Sequence, residues 1–188
     1  NDIIDAGQGT HDPHIWLDPF LWATGVEELG KRLAENYPED KTQIIKNSLQ
    51  YAKEIRQVGE WMRKEINKIP EERRVLITSH DAFSYFGKQF NIEVDALQGI
   101  STVSEPGIRT VSSLMQKIID RKIAAVFIES SVSSKSIQAL KEACARNGYK
   151  LEEGGMLYSD AMGDKKSNAE TYIKMLKRNT ETVVSGLM

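Results

Sequence analysis

The side chains best suited to chemistry in this sequence are few and widely spaced. Three histidines are present. His11 and His14 lie in the opening stretch Thr10-His11-Asp12-Pro13-His14, and His80 follows the apolar run Arg74-Val75-Leu76-Ile77-Thr78-Ser79. Asp160 lies in Tyr158-Ser159-Asp160-Ala161-Met162-Gly163, past the last stretch with strand character. Imidazole nitrogens and carboxylate oxygens together suit a borderline divalent ion. Each residue also has an ordinary structural reading: His80 as a cap on the next helix, Asp160 as a turn carboxylate, His14 as a loop residue fixed between Pro13 and Trp16. His11 reads as solvent-exposed. The spacing His11-x-x-His14 resembles a chelating pair, but Pro13 between them disfavours the helix that such a pair needs.

Other chemistries fare worse. No His-Glu-x-x-His motif and no Gly-rich phosphate loop occurs. Ser79-His80-Asp81 fails as a triad, because three successive side chains diverge. The enzyme alternative is a metallohydrolase that uses the same His and Asp residues with Glu129 as general base. Cys144 is the one cysteine, so neither an internal disulfide nor a cysteine-based zinc site can form. Lys and Arg number 25 against 27 Asp and Glu, a net charge of −2. That balance argues against a nucleic-acid partner.

Positioning such distant ligands requires a fold. Asp18-Pro19 is a strong helix start, with Asp as cap and Pro in the first turn, and Trp22, Val26, Leu29 and Leu33 continue it at helical spacing to about Asn36. After Pro38 a longer pattern, Ile45 through Ile69, predicts a helix of roughly 45 Å, too long for one small domain. A coiled-coil arm is the alternative, weakened by Gly59 on the apolar face. Past Pro70 the texture becomes strands near 74–78, 92–97, 123–128 and 149–157. Helices near 81–90, 106–121, 134–147 and 168–187 separate and follow them. The first 18 residues read as loop. Four strands separated by helices predict an α/β class with a four-stranded, mainly parallel sheet, whose ligands gather beyond the carboxyl ends of the strands. No run of about 18 apolar residues spans a bilayer. The N-terminus lacks the basic-then-apolar pattern of a signal peptide and an initiator Met, which suggests a chain processed or cut from something longer.

Asp12-Pro13-His14-Ile15-Trp16-Leu17-Asp18-Pro19 resembles the signature of the zinc- and manganese-type solute-binding proteins of ABC transporters, the TroA-like or ZnuA-like family. Thr78-Ser79-His80-Asp81-Ala82-Phe83-Ser84-Tyr85-Phe86 is similar to that family's second-lobe ligand segment. Val126-Phe127-Ile128-Glu129-Ser130-Ser131 is similar to its central strand, and Tyr158-Ser159-Asp160-Ala161-Met162-Gly163 to the segment supplying its aspartate. The four segments occur in order, from about residue 11 to the end.

The resemblance implies a helical-backbone metal receptor outside the cytoplasmic membrane, periplasmic or lipid-anchored, that is not an enzyme. It would bind Zn(II) or Mn(II) through His14, His80 and Asp160 and deliver the ion to an ABC transporter permease. An adhesin or host-matrix-binding lipoprotein is the second reading that relatives suggest. Histidine at position 80, where relatives carry His or Glu, tilts the choice towards zinc. The implied division is a first-lobe remnant at 1–37, a connecting helix at 38–70 and a C-terminal α/β lobe at 71–188. The family also supplies a further first-lobe histidine. Only 13 residues precede His14, so this chain offers three of four protein ligands. With the first lobe missing, the Trp22, Val26 and Leu29 face is expected to be bare and to drive a dimer or a swapped assembly.

Overall fold

Asp18 opens the first helix as its chemistry predicts: one carboxylate oxygen accepts from the backbone N–H groups of Phe20 (2.8 Å) and Leu21 (3.2 Å). The computed structural model describes residues 3–7, 9–100 and 107–188. Within them helix α1 runs Pro19–Asn36, α2 Lys41–Ile66, α3 Ser84–Phe90, α4 Ile108–Arg121, α5 Lys135–Arg146 and α6 Tyr172–Leu187. Strands β1 (Asp5–Gly7) and β2 (Thr10–His11) form a small antiparallel hairpin, followed by a 3-10 turn at Ile15–Leu17. The opening residues are therefore not plain loop. Gly9, at φ +76°, makes the hairpin turn available.

The α/β class stands, with β3 (Val75–His80), β4 (Glu93–Gln98), β5 (Ala125–Glu129) and β6 (Glu152–Leu157) all parallel to their partners. Their ladders join them as two pairs, β3 with β4 and β5 with β6, and β3 packs beside β5. His80 sits opposite Gln98, and Glu129 opposite Leu157, at the carboxyl ends of those strands. All six residues of β3 are buried, which explains its near-continuous apolar run. Helices cover both faces. Alternate residues serve two cores. Leu76 and Phe127 face α2, α3 and α6 among Met62, Ile66, Phe83, Phe86 and Val183. Val75, Ile77 and Val126 face α4 and α5 among Leu114, Ile118, Leu140 and Cys144.

Several helix starts fall later than the sequence pattern suggests, each for a local reason. Before α3, Asp81 takes the Ser84 hydroxyl (2.7 Å) and the Ala82 N–H turns back to the His80 carbonyl (3.0 Å). Before α6, Asp164 and Ser167 close a tight turn and Asn168 adopts φ +53°. The expected start of α4 at Pro106 lies outside the described residues.

Helix α2 has 26 residues, about 39 Å at the usual rise, behind a 3-10 turn at Pro38–Asp40. It is not a free coiled-coil arm, because it packs on both α1 and α6. Gly59 permits the first of these contacts: a Cβ there would lie 2.8 Å from the Phe20 ring and 2.9 Å from Pro19. The bare face expected on α1 is corrected accordingly. Trp22 packs on Tyr172, ring centroids 5.9 Å apart, and Val26 packs against Ala52 and Ile55. Leu29 alone of the three is exposed, at 56%. Among the described residues no helix is long and apolar enough to cross a membrane.

Candidate metal centre

Three elements bring the predicted ligands together. The 3-10 turn after Pro13 aims His14 inward, the end of β3 carries His80, and the loop after β6 carries Asp160. One ligand atom from each lies within 4.8 Å of the other two. Both histidines are buried, His80 completely. Asp160 is the wet member, its side chain 41% exposed. Its carboxylate straddles the pair: Oδ1 is 3.4 Å from His14 Nε2 and Oδ2 is 3.5 Å from His80 Nε2. The two imidazole rings meet edge to face, with centroids 5.5 Å apart. His11 is exposed and is not part of this group.

Each imidazole is oriented from behind by a carboxylate. His14 Nδ1 lies 2.6 Å from Asp12 Oδ1, which also accepts the His14 backbone N–H at 2.9 Å. His80 Nδ1 lies 2.6 Å from Glu129 Oε2, while Glu129 Oε1 accepts the His80 backbone N–H at 2.8 Å. The His80–Glu129 ring contact is one of charge more than of aligned hydrogen bonding, since both atoms lack a well-directed partner. At 2.6 Å a buried carboxylate and imidazole attract whatever the tilt. In both pairs the carboxylate engages Nδ1, so that the neutral imidazole with its proton there turns the Nε2 lone pair inward. His80 Nε2 is a buried polar atom with no hydrogen-bond partner. Such an orphan calls for an explanation, and a cation between the three residues supplies one.

Charge around His80 agrees. Burial, the largest influence, pushes the imidazole pKa down. The Glu129 carboxylate, 2.6 Å from the ring, and then Asp160 and Asp81 push it back, and the net shift is upward. The pocket therefore favours a positive charge, carried by a proton or by a metal ion.

His80 does not cap α3, whose start has no side-chain cap. Glu129 does not present a free base either: it is buried, with its two oxygens on the His80 backbone and ring. The roles of Asp12 and Glu129 behind the histidines were not read from the sequence. Asp12 had a signal, a carboxylate two positions before a histidine with proline between. Glu129 had one too, as the lone charge ending the buried run Ala125–Glu129.

Comparison with known proteins places this geometry in context. A family model described as "Zinc-uptake complex component A periplasmic" matches residues 2–186. The chain is 42% identical over its full length to the manganese-binding lipoprotein MntA of Bacillus subtilis, of which it spans 61%. It is 37% identical over 98% of its length to the zinc-binding protein TroA of Treponema pallidum, of which it spans 60%. The solved structure of the periplasmic zinc-binding TroA superposes with a TM-score of 0.93 at 35% identity, covering 98% of this chain and 67% of that one. The chain thus spans about three-fifths of the length of these curated relatives.

Proposed function

The chain belongs to the zinc-uptake complex component A family, and from that premise we propose that it is the metal-holding part of an extracytoplasmic receptor that passes Zn(II) or Mn(II) to an ABC transporter permease. The observation that carries the reading is the convergence of His14 Nε2, His80 Nε2 and Asp160 on one point, with Asp12 and Glu129 behind the imidazoles. Such carboxylate–histidine–metal relays raise ligand basicity and hold the ring at the angle the ion needs. The reading is of a receptor, not an enzyme: the carboxylate nearest His80, Glu129, is committed to that ring and unavailable as a base.

The ion is cargo, so the site must release as well as bind. In this reading His14, His80 and Asp160 are the ligands, and the half-exposed Asp160 edge is where the ion enters and leaves. Three ligands leave room for water or for a group from elsewhere in a longer protein. Two imidazoles and one carboxylate suit Zn(II). Both oxygens of Asp160 turn inward, which also suits the harder Mn(II). The relatives' names divide the same way, one manganese-binding and one zinc-binding. We place zinc ahead on the nitrogen count. The location follows from relatives described as lipoproteins or as periplasmic. In this reading residues 38–70 connect a first-lobe remnant to the C-terminal lobe. The end of α2 is rooted in the main core through Val58, Met62 and Ile66, so loading involves local rather than hinge motion.

Isothermal titration with Zn(II) and with Mn(II) tests the proposal. One ion per chain is expected, with binding lost in the double substitution His14→Ala, His80→Ala. Unchanged binding in that variant would refute it.

A further inference from the structure

A closed circuit of hydrogen bonds ties the two ligand-bearing loops to the last helix. The Tyr172 hydroxyl, at the start of α6, donates to the Trp16 carbonyl at 2.7 Å. The Trp16 indole N–H donates to the Ser159 carbonyl at 2.8 Å. One residue earlier, the Tyr158 N–H donates to Asn179 Oδ1 at 2.9 Å, and Asn179 Nδ2 donates back to the Tyr158 carbonyl at 2.7 Å. Asn179 lies on α6 and is 2% exposed, so the circuit returns to the helix where it began. Burial raises the Tyr172 pKa, which keeps its phenol a donor. Trp16 occupies the centre: its ring meets His14 edge-on, centroids 5.3 Å apart, while its N–H grips the residue next to Asp160.

Asp160 needs such a grip. Its side chain is 41% exposed, and among the described residues its oxygens face the two imidazoles, across 3.4 and 3.5 Å. Unlike the histidines, it has no carboxylate or backbone group behind it among the described residues. Its placement depends on the backbone at Tyr158 and Ser159. Resting on the receptor reading above, we propose that Trp16 is a positioning and specificity-determining residue. Its indole N–H, on a residue whose backbone carbonyl is held by the Tyr172 hydroxyl, fixes the backbone beside Asp160 with both carboxylate oxygens turned to the ion and so supports the oxygen-preferring Mn(II) more than Zn(II). Zn(II) in a four-coordinate site is satisfied by one carboxylate oxygen beside two imidazoles. Mn(II) favours carboxylate oxygen and draws more from the second one. A loosened Asp160 that offers one oxygen at a time therefore costs manganese more.

The test uses the chain as it stands, with Zn(II) and Mn(II) affinities measured by chelator competition for wild type, Trp16→Phe and Tyr172→Phe. Trp16→Phe keeps an aromatic ring at this position and removes the indole donor, together with part of the ring that packs on the main core. Mn(II) affinity is expected to fall about tenfold or more, within the range for outer partners of metal ligands, while Zn(II) falls about threefold or less. Tyr172→Phe should move the ratio in the same direction. It carries the decision if Trp16→Phe does not fold. A second readout needs no metal: the Trp16 indole proton, resolved by NMR in the metal-free chain, should exchange slowly. Equal weakening of both ions in the two variants, or fast exchange of that proton, overturns the inference alone. A wild-type chain that binds neither ion overturns the receptor reading and this inference with it.

Discussion

His14 and His80 flank the α1–α2 pair in the chain, yet their imidazoles meet edge to face with centroids 5.5 Å apart. Folding therefore places two Nε2 lone pairs side by side against one exposed carboxylate. That contact governs how the molecule should respond to change.

The two ends of the site should differ in what they contribute to stability. His80→Ala leaves the buried Glu129 charge with only the backbone N–H at position 80, a loss approaching the roughly 3–5 kcal/mol of a broken buried pair. Asp160→Ala removes a half-exposed side chain and should change metal-free stability by only about 0.5 kcal/mol. Both should abolish tight metal binding. Urea unfolding of the metal-free variants separates the two effects, and equal destabilisation would contradict this picture.

Glu129→Gln keeps the shape but removes the charge behind His80. Outer partners of this kind typically change metal affinity about 10–100-fold, so a loss of that size in a zinc titration is expected. Folding should survive, because the amide oxygen can still accept the His80 backbone N–H.

Acid should release the ion. The His80 pKa is raised in the metal-free fold, burial being outweighed by Glu129, Asp160 and Asp81. Protonated His80 then stabilises the metal-free fold below the ordinary imidazole pKa, and that contribution fades as pH rises through the raised value. Metal binding runs the other way, since the ligand must be neutral. Affinity should climb as pH passes the raised His80 value and level off above it. In Glu129→Gln the main upward influence is weakened, so the climb should begin at lower pH. Titrations across pH 5 to 9, roughly the window in which histidines act, would show either this shift or its absence.

Asn179→Leu should destabilise the fold by about 1–3 kcal/mol, since it strands the Tyr158 N–H and carbonyl in the interior. Thermal unfolding measures it directly, and an unchanged midpoint would mean that these backbone groups find other partners.

Much of this architecture was legible in sequence because it rests on local signals. Asp18-Pro19 announced α1, and the apolar run Val75–Ile77 announced a strand, which the fold buries along its whole length. His80 and Asp160 could be placed at strand ends, where parallel sheets gather ligands. What escaped was non-local. The hold of Glu129 on His80 joins two neighbouring strands, and the Trp16–Ser159 bond spans most of the chain. Neither leaves a trace in periodicity. The packing of Trp22 on Tyr172 was missed for the same reason: the partner is on the last helix, which no reading of α1 alone could reveal.

The most direct test of the central claim is anomalous diffraction at the zinc edge from crystals of the zinc-loaded chain. The account predicts one dominant peak, within bonding distance of His14 Nε2, His80 Nε2 and a carboxylate oxygen of Asp160. A peak at exposed His11, or none between the two buried imidazoles, would contradict it.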